Sequence, residues 1–231
     1  MLNKIDRPTQ AGTCTGATRR TLLAGLLTAG LVLVLPRRAR AQPSVSVASA
    51  ELEVRNDPEP GLYLSAQFAF EPSPSIEDAV RRGIPVYFLI DFELVRTRWY
   101  WFNRMLAKAT LVYRLTYSPL TRQFRRARAE FGDGRTDLPG VAEIEHLLSR
   151  GALAQPFDTL DEALATIRTV RGWKVAGREV AEVHDHLLPR VRLRLDTTML
   201  PKPFQVDSLT NHDWALASGW QPVSIVASSQ H

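Results

Sequence analysis

Few groups in this chain could do chemistry, and each sits in a pattern that can be weighed. His184-Asp185-His186 is the best arrangement for a metal. Imidazoles two apart on a strand point to one side, and imidazole suits zinc, copper or iron. A closed site takes about four ligands, so His184 and His186 would need His146, His212, Asp91 or Glu93 brought near by the fold. The plainer reading is a polar turn entering a strand at Leu187, and no metal or other cofactor is assigned. Asp91 and Glu93 share one side of a long strand and could act as a carboxylate pair of the glycosidase kind. Such carboxyls normally flank a cleft from separate elements, whereas cross-strand pairing with Arg114, Arg125 and Arg126 accounts for them more simply. Ser218-Gly219 lacks the preceding glycine of a nucleophile elbow, and beyond residue 41 there is no phosphate loop or dinucleotide fingerprint. No catalytic residue is assigned.

The most unusual stretch is Arg96-Thr97-Arg98-Trp99-Tyr100-Trp101-Phe102. Arginine and tryptophan are enriched where proteins bind partners, because both bury large areas with little loss of rotamer freedom. The same pair suits a membrane interface or a sugar face. Arg96, Arg98, Trp99 and Trp101 are therefore the partner-binding candidates. The competing account is that both tryptophans cap the core at the end of a strand while the arginines reach solvent.

These groups must be positioned by a strand-rich scaffold. Leu62, Leu64, Ala66, Phe68 and Phe70 alternate with Tyr63, Ser65, Gln67 and Ala69, the period of a half-buried strand. The Asn56–Gly61 turn cluster before it predicts a hairpin between Val45–Arg55 and Leu62–Phe70. Ser75 with an acid three residues on predicts a two-turn helix that stops at Gly83. Val86 to Arg98 reads as a long strand with apolar residues on both sides, so covered on both. Leu111–Tyr117 and Gln123–Phe131 read as the next strands of a meander. Val141, Ile144, Leu147 and Leu148 fall at helical spacing, an amphipathic helix laid over the domain. Thr159 caps another helix running through Val170 to an end near Gly172. Val191, Leu193 and Leu195 alternate with arginines in a further strand, and Pro201-Lys202-Pro203 reads as a break before Trp214 and Trp220. The two capped helices match class by class and each leads through glycine to a strand. Good caps alone produce that likeness, which is preferred here to an internal duplication.

The N-terminus changes the meaning of the composition. Thr18-Arg19-Arg20-Thr21 opens an apolar run to Leu35, and Pro36-Arg37-Arg38-Ala39-Arg40-Ala41 follows. A basic patch, a short apolar core and small residues three apart have the form of a cleavable export signal. The core has 15 residues, short of the roughly 20 of a spanning helix. If cleavage were slow, residues 1–41 would instead anchor the protein at the membrane. The arginine pair fits both an ordinary leader and the twin-arginine signal of folded cargo. The whole chain is basic, net +5 with a pI near 9.7. The leader holds seven basic residues and one acidic one, so 22 and 23 of the 29 and 24 remain, a net charge of −1. That removes the basic excess on which a nucleic-acid reading would rest. Cys14 also lies in the leader, so the rest of the chain can form no disulfide and no thiolate site.

Three stretches together are similar to a known family: Glu77–Phe88, Arg98-Trp99-Tyr100-Trp101, and Tyr113–Arg122, with Leu195-Asp196, Leu200–Pro203 and Trp214–Trp220. Over most of residues 45–223 the chain resembles the proteobacterial domain-of-unknown-function 4390 family. The resemblance implies an exported protein, and the placing of members beside nitrogen-regulation-type sensor kinases implies a link to envelope sensing. It implies no catalytic residues. The combined expectation is a leader or anchor over 1–41 and one domain over 42–231. That domain should be a mainly antiparallel β-sandwich with two or three short helices, the alternative being an α+β sheet with helices on one face. Its role would be non-enzymatic binding of an envelope protein or ligand on the periplasmic side. The alternative is a metal-binding protein or hydrolase built on His184 and His186.

Overall fold

The computed structural model describes residues 45–97, 104–132, 139–150, 154–181 and 186–226. Strands β1 (Ser46–Arg55) and β2 (Gly61–Ala69) pair antiparallel, as their alternation predicts. Helix α1 (Pro74–Arg81) follows. Its cap is Ser73, whose hydroxyl accepts the Ile76 N–H at 3.3 Å, rather than Ser75. Pro74 fits the first helical position, where its missing N–H costs nothing, and this moves the start two residues upstream. Gly83, at φ +82, closes the helix as expected.

Strands β3 (Val86–Arg96), β4 (Arg104–Ser118) and β5 (Gln123–Phe131) form the meander. Strand β4 begins earlier than its apolar run suggests, because Ala107 and Ala109 also face the core. Helix α2 (Val141–Arg150) and the short strand β6 (Gln155–Phe157) come next. Helix α3 (Leu160–Arg168) carries a complete capping box between Thr159 and Glu162. It ends four residues before Gly172, because Thr169 already belongs to strand β7 (Thr169–Gly177). Gly172 instead takes φ +54 inside that strand, where the register against β2 slips between Leu64 and Ala66.

One turn of helix, α4 (Arg178–Ala181), and strand β8 (Leu187–Leu195) lead to helix α5 (Lys202–Thr210). Here Pro201-Lys202-Pro203 starts a helix instead of breaking the chain, since proline is tolerated in a first turn. Strands β9 (Gln221–Pro222) and β10 (Ser224–Val226) complete the described fold.

Two sheets result, ordered β10-β1-β2-β7 and β6-β5-β4-β3-β8-β9. Every pairing is antiparallel except that of β10 with β1. Their apolar faces meet in one core, with Leu62, Leu64 and Trp173 on one side and Phe88, Phe92 and Leu193 on the other. The fold is thus a mainly β, antiparallel-dominated sandwich with five short α-helices among the described residues, more helices than the sequence suggests. A second apolar cluster lies on the outer face of the larger sheet. There Tyr87, Leu89, Val112 and Ala127 are covered by Ile144 and Leu148 of α2 and by Met199. This is why β3 reads as apolar on both sides. Helices α1 and α3 deliver their chains into opposite sheets. No helix among the described residues is long and apolar enough to cross a membrane.

Candidate functional site

Beyond the rows covered by α2, the outer face of the larger sheet becomes charged. In the β8–β3–β4 register, Arg192, Asp91 and Thr110 form one row, and Arg190, Glu93 and Lys108 the next. Asp91 is 5 % exposed. Its Oδ1 accepts the Thr110 hydroxyl at 3.0 Å, and its Oδ2 accepts Nε of Arg192 and Nε of Arg194, both at 2.9 Å. Glu93 Oε2 accepts Nε and Nη2 of Arg190 at 2.9 and 2.5 Å. Burial acts to lower the Arg194 pKa, but Asp91 and Asp196 together hold it above the ordinary arginine value. The Trp220 ring lies over this ladder, 4.7 Å from the Arg190 guanidinium and 4.4 Å from that of Arg192.

The carboxylate pair is therefore committed to arginines, as the ion-pair reading requires, but the arginines are those of β8. Arg114 turns to Glu145 of α2 at 2.9 Å, Arg126 bonds Gln155 and lies over the Tyr113 ring, and Arg125 pairs in register with Thr116. For Arg125 and Arg126 the reason is strand order, since β8, not β5, lies beside β3; Arg114 is on the adjacent β4 but sits opposite Tyr87, four residues from Asp91. A carboxylate whose oxygens are taken up by guanidinium groups is poorly placed as general acid or base.

Of the histidines, His184 lies outside the described residues, together with Asp185. His186 stands just before β8 rather than on a strand, at φ +53, and its carbonyl accepts both the N–H and the hydroxyl of Thr97. His146 and His212 are exposed. Among the described residues no three His, Cys, Asp or Glu side chains are grouped to hold a metal. Ser218 is buried, and its hydroxyl accepts the Leu193 N–H at 2.9 Å, a structural bridge between β8 and the last segment.

Arg96 is the one partner-binding candidate that the described residues include; Arg98, Trp99 and Trp101 lie outside them. It ends β3 directly opposite Arg104 of β4, with Leu187 of β8 on its other side. One row inward, Val95 is flanked by Met105 and Leu188, which are 45 % and 54 % exposed while Val95 is 9 % exposed. A register shift between Leu94 and Val95 takes Leu106 out of the pairing and sets Met105 opposite Val95. The result is an end of the sheet whose last row sets two like charges opposite each other, with two uncovered apolar side chains one row inward on the other face.

Residues 42–224 match the model of a family described as a domain of unknown function, DUF4390. The chain belongs to the DUF4390 family. None of the curated proteins or solved structures compared with this DUF4390 chain matches it.

The charge of this DUF4390 domain is unevenly spread. Between Glu93 and Glu130 there is no acidic residue, while Arg96, Arg98, Arg104, Lys108, Arg114, Arg122, Arg125, Arg126 and Arg128 are basic. This run, visible in the sequence, covers the end of β3, all of β4 and most of β5, and within it Arg114 and Arg128 are paired with Glu145 and Glu130. Burial, with the charge of Arg128, lowers the Arg126 pKa, and burial lowers that of Arg114. The outer face of the smaller sheet differs. It holds a shallow concavity of about 670 Å³ lined by Ser49, Glu51, Arg55, Ser65, Gln67 and Arg171. On this side Arg55 pairs with Glu53 at 2.7 Å, and Lys174 with Glu59 at 3.1 Å. The strongest candidate site is the Arg96–Arg104 end of the larger sheet.

Proposed function

We propose that this DUF4390 protein is a non-enzymatic binding module of the bacterial envelope, exported by its leader and working on the periplasmic side. It docks through the end of the larger sheet formed by Arg96, Arg104, Met105 and Leu188. The observation that carries this reading is the direct pairing of Arg96 with Arg104. Like charges directly opposite on neighbouring strands destabilise a sheet, by up to about 1 kcal/mol. A local feature that costs stability marks a position kept for something other than folding. Exposed Met105 and Leu188 beside it supply apolar area to bury. In sequence, the connection between the two strands adds Arg98, Trp99 and Trp101, the residue types of binding hot spots. Asp91 and Glu93 support the same reading from the other side, because their oxygens serve the scaffold.

A photo-crosslinking amino acid placed at Met105 or Leu188 in living cells tests this. An adduct with membrane lipid or with one protein from both positions, absent when the crosslinker replaces Tyr63 on the smaller sheet, is the expected result. Equal labelling from all three positions, or none from any, would overturn it.

A further inference from the structure

We infer that what this end of the sheet docks against is an anionic phospholipid surface; the inference rests on the binding-module reading and names its partner.

Three observations point to lipid. Arg96 and Arg104 sit at the last paired row of β3 and β4, and no carboxylate among the described residues pairs with either. The nearest acid on β3, Glu93, is held by Arg190. The two guanidinium groups thus present a concentrated positive charge on a domain whose net charge beyond residue 41 is −1. A guanidinium is matched by phosphate, which it binds with two parallel hydrogen bonds.

Second, the apolar side chains are arranged for an interface rather than a pocket. Met105 and Leu188 flank Val95 one row inward from the arginines. Val95, Met105 and Leu188 lie on the outer face of the sheet, whereas Arg96, opposite Leu187, belongs to the other face, so this end carries apolar area on one side and cationic side chains on the other. Laid end-on against a bilayer, it sets the first at the headgroup–acyl boundary and the second among the phosphates. A protein hot spot, by contrast, usually fills a well-packed pocket. The one concavity described above lies on the other sheet, among residues such as Ser65 and Gln67.

Third, the sequence around these arginines carries charge of one sign. Beyond Glu93, which Arg190 holds, the strand ends that carry Arg96 and Arg104 have no acid in sequence to repel an anionic leaflet. Each arginine near such a surface strengthens attachment, and the attraction is screened within about a Debye length.

The full chain, with Cys14→Ser and a single cysteine introduced as Met105→Cys, is labelled with an environment-sensitive fluorophore and mixed with vesicles. Phosphatidylglycerol vesicles should shift the fluorophore to an apolar environment, and phosphatidylcholine vesicles should not. A label introduced at Val206 on α5 should stay in water with both, so that binding by the leader is not mistaken for docking of this end. The Arg96→Glu, Arg104→Glu pair should weaken the response by roughly tenfold or more at low salt. Leu188→Asp, at an exposed position, should do the same if the charge-reversed protein fails to fold. A label at 105 that stays aqueous, or responds equally to both lipids, overturns the lipid assignment. If it stays aqueous while the crosslinker at 105 captures one discrete protein, the partner is a protein and the binding module stands. If the label stays aqueous and no adduct forms, both readings fall.

Discussion

Nε of Arg194 lies 2.9 Å from Oδ2 of Asp91, the same oxygen that Nε of Arg192 reaches at 2.9 Å. One buried carboxylate thus ties two arginines of β8 to the middle of β3. Removing it leaves Arg192 without its counter-ion and Arg194 with Asp196 alone, and breaking such a pair costs far more than replacing it whole. Asp91→Ala should lower unfolding stability by about 3 kcal/mol, with the urea m-value unchanged. The triple variant Asp91→Leu, Arg192→Met, Arg194→Met should recover most of that. A loss below about 1 kcal/mol for Asp91→Ala would show that the ladder carries little of the fold's stability.

Trp220 covers the outer side of that ladder. Trp220→Ala should cost about 1 kcal/mol, from two cation–π contacts with Arg190 and Arg192 in a partly exposed place. Chemical denaturation measures it, and an unchanged midpoint would mean that the ring merely rests on the surface.

Tyr113 provides a pH-dependent signature. Burial raises its pKa above the ordinary 10.0 and Glu130 adds to this, against the opposing effect of Arg128 and Arg126. The folded chain therefore keeps this proton over a range in which the unfolded chain has already lost it. That contribution is complete below pH about 10 and falls as the pH rises through it toward the folded value. Spectrophotometric titration should show a late tyrosinate step that vanishes in Tyr113→Phe, and the variant should lose less stability between pH 9 and 11 than the parent, a range set by the free tyrosine value of about 10.

The metal-protein alternative makes an opposite forecast. If His184 and His186 hold no ion, the purified protein retains no stoichiometric metal, and His184→Ala with His186→Ala leaves its thermal midpoint unchanged with or without added zinc. Stoichiometric metal lost in the double variant would establish a metal centre and set the binding reading aside.

How far the sequence revealed this arrangement depended on whether the signal was local. Strand β5 is found where alternation places it, at Gln123–Phe131, and the Thr159–Glu162 capping box forms in full. Helix α1 starts at Pro74 because a proline at N1 competed with the more familiar Ser75 cap. The same preference hid α5 behind Pro201 and Pro203. The partners of Asp91 were misassigned for a different reason. Alternation shows that Arg190, Arg192 and Arg194 share a face, but not that β8 lies beside β3, since strand order is non-local. The candidate site was legible only in part. Arg96 stands out by its neighbours in sequence, whereas its facing of Arg104, and the exposure of Leu188 beside Val95, exist only once three strands are aligned.

Relief of that like-charge pair should separate stability from binding. Arg104→Glu places opposite charges across β3 and β4 and should stabilise the domain by a few tenths of a kcal/mol, up to about 1. A midpoint that falls instead would mean that Arg104 serves the fold.

The most direct test is the adduct yield from a photo-crosslinker at Met105 in cells, in the parent and in Arg104→Glu. The parent should give an adduct with membrane lipid or with one protein, and the equally or more stable variant should lose most of it. An undiminished adduct in the variant, or a parent that forms none, would contradict the assignment of this end of the sheet as the binding surface.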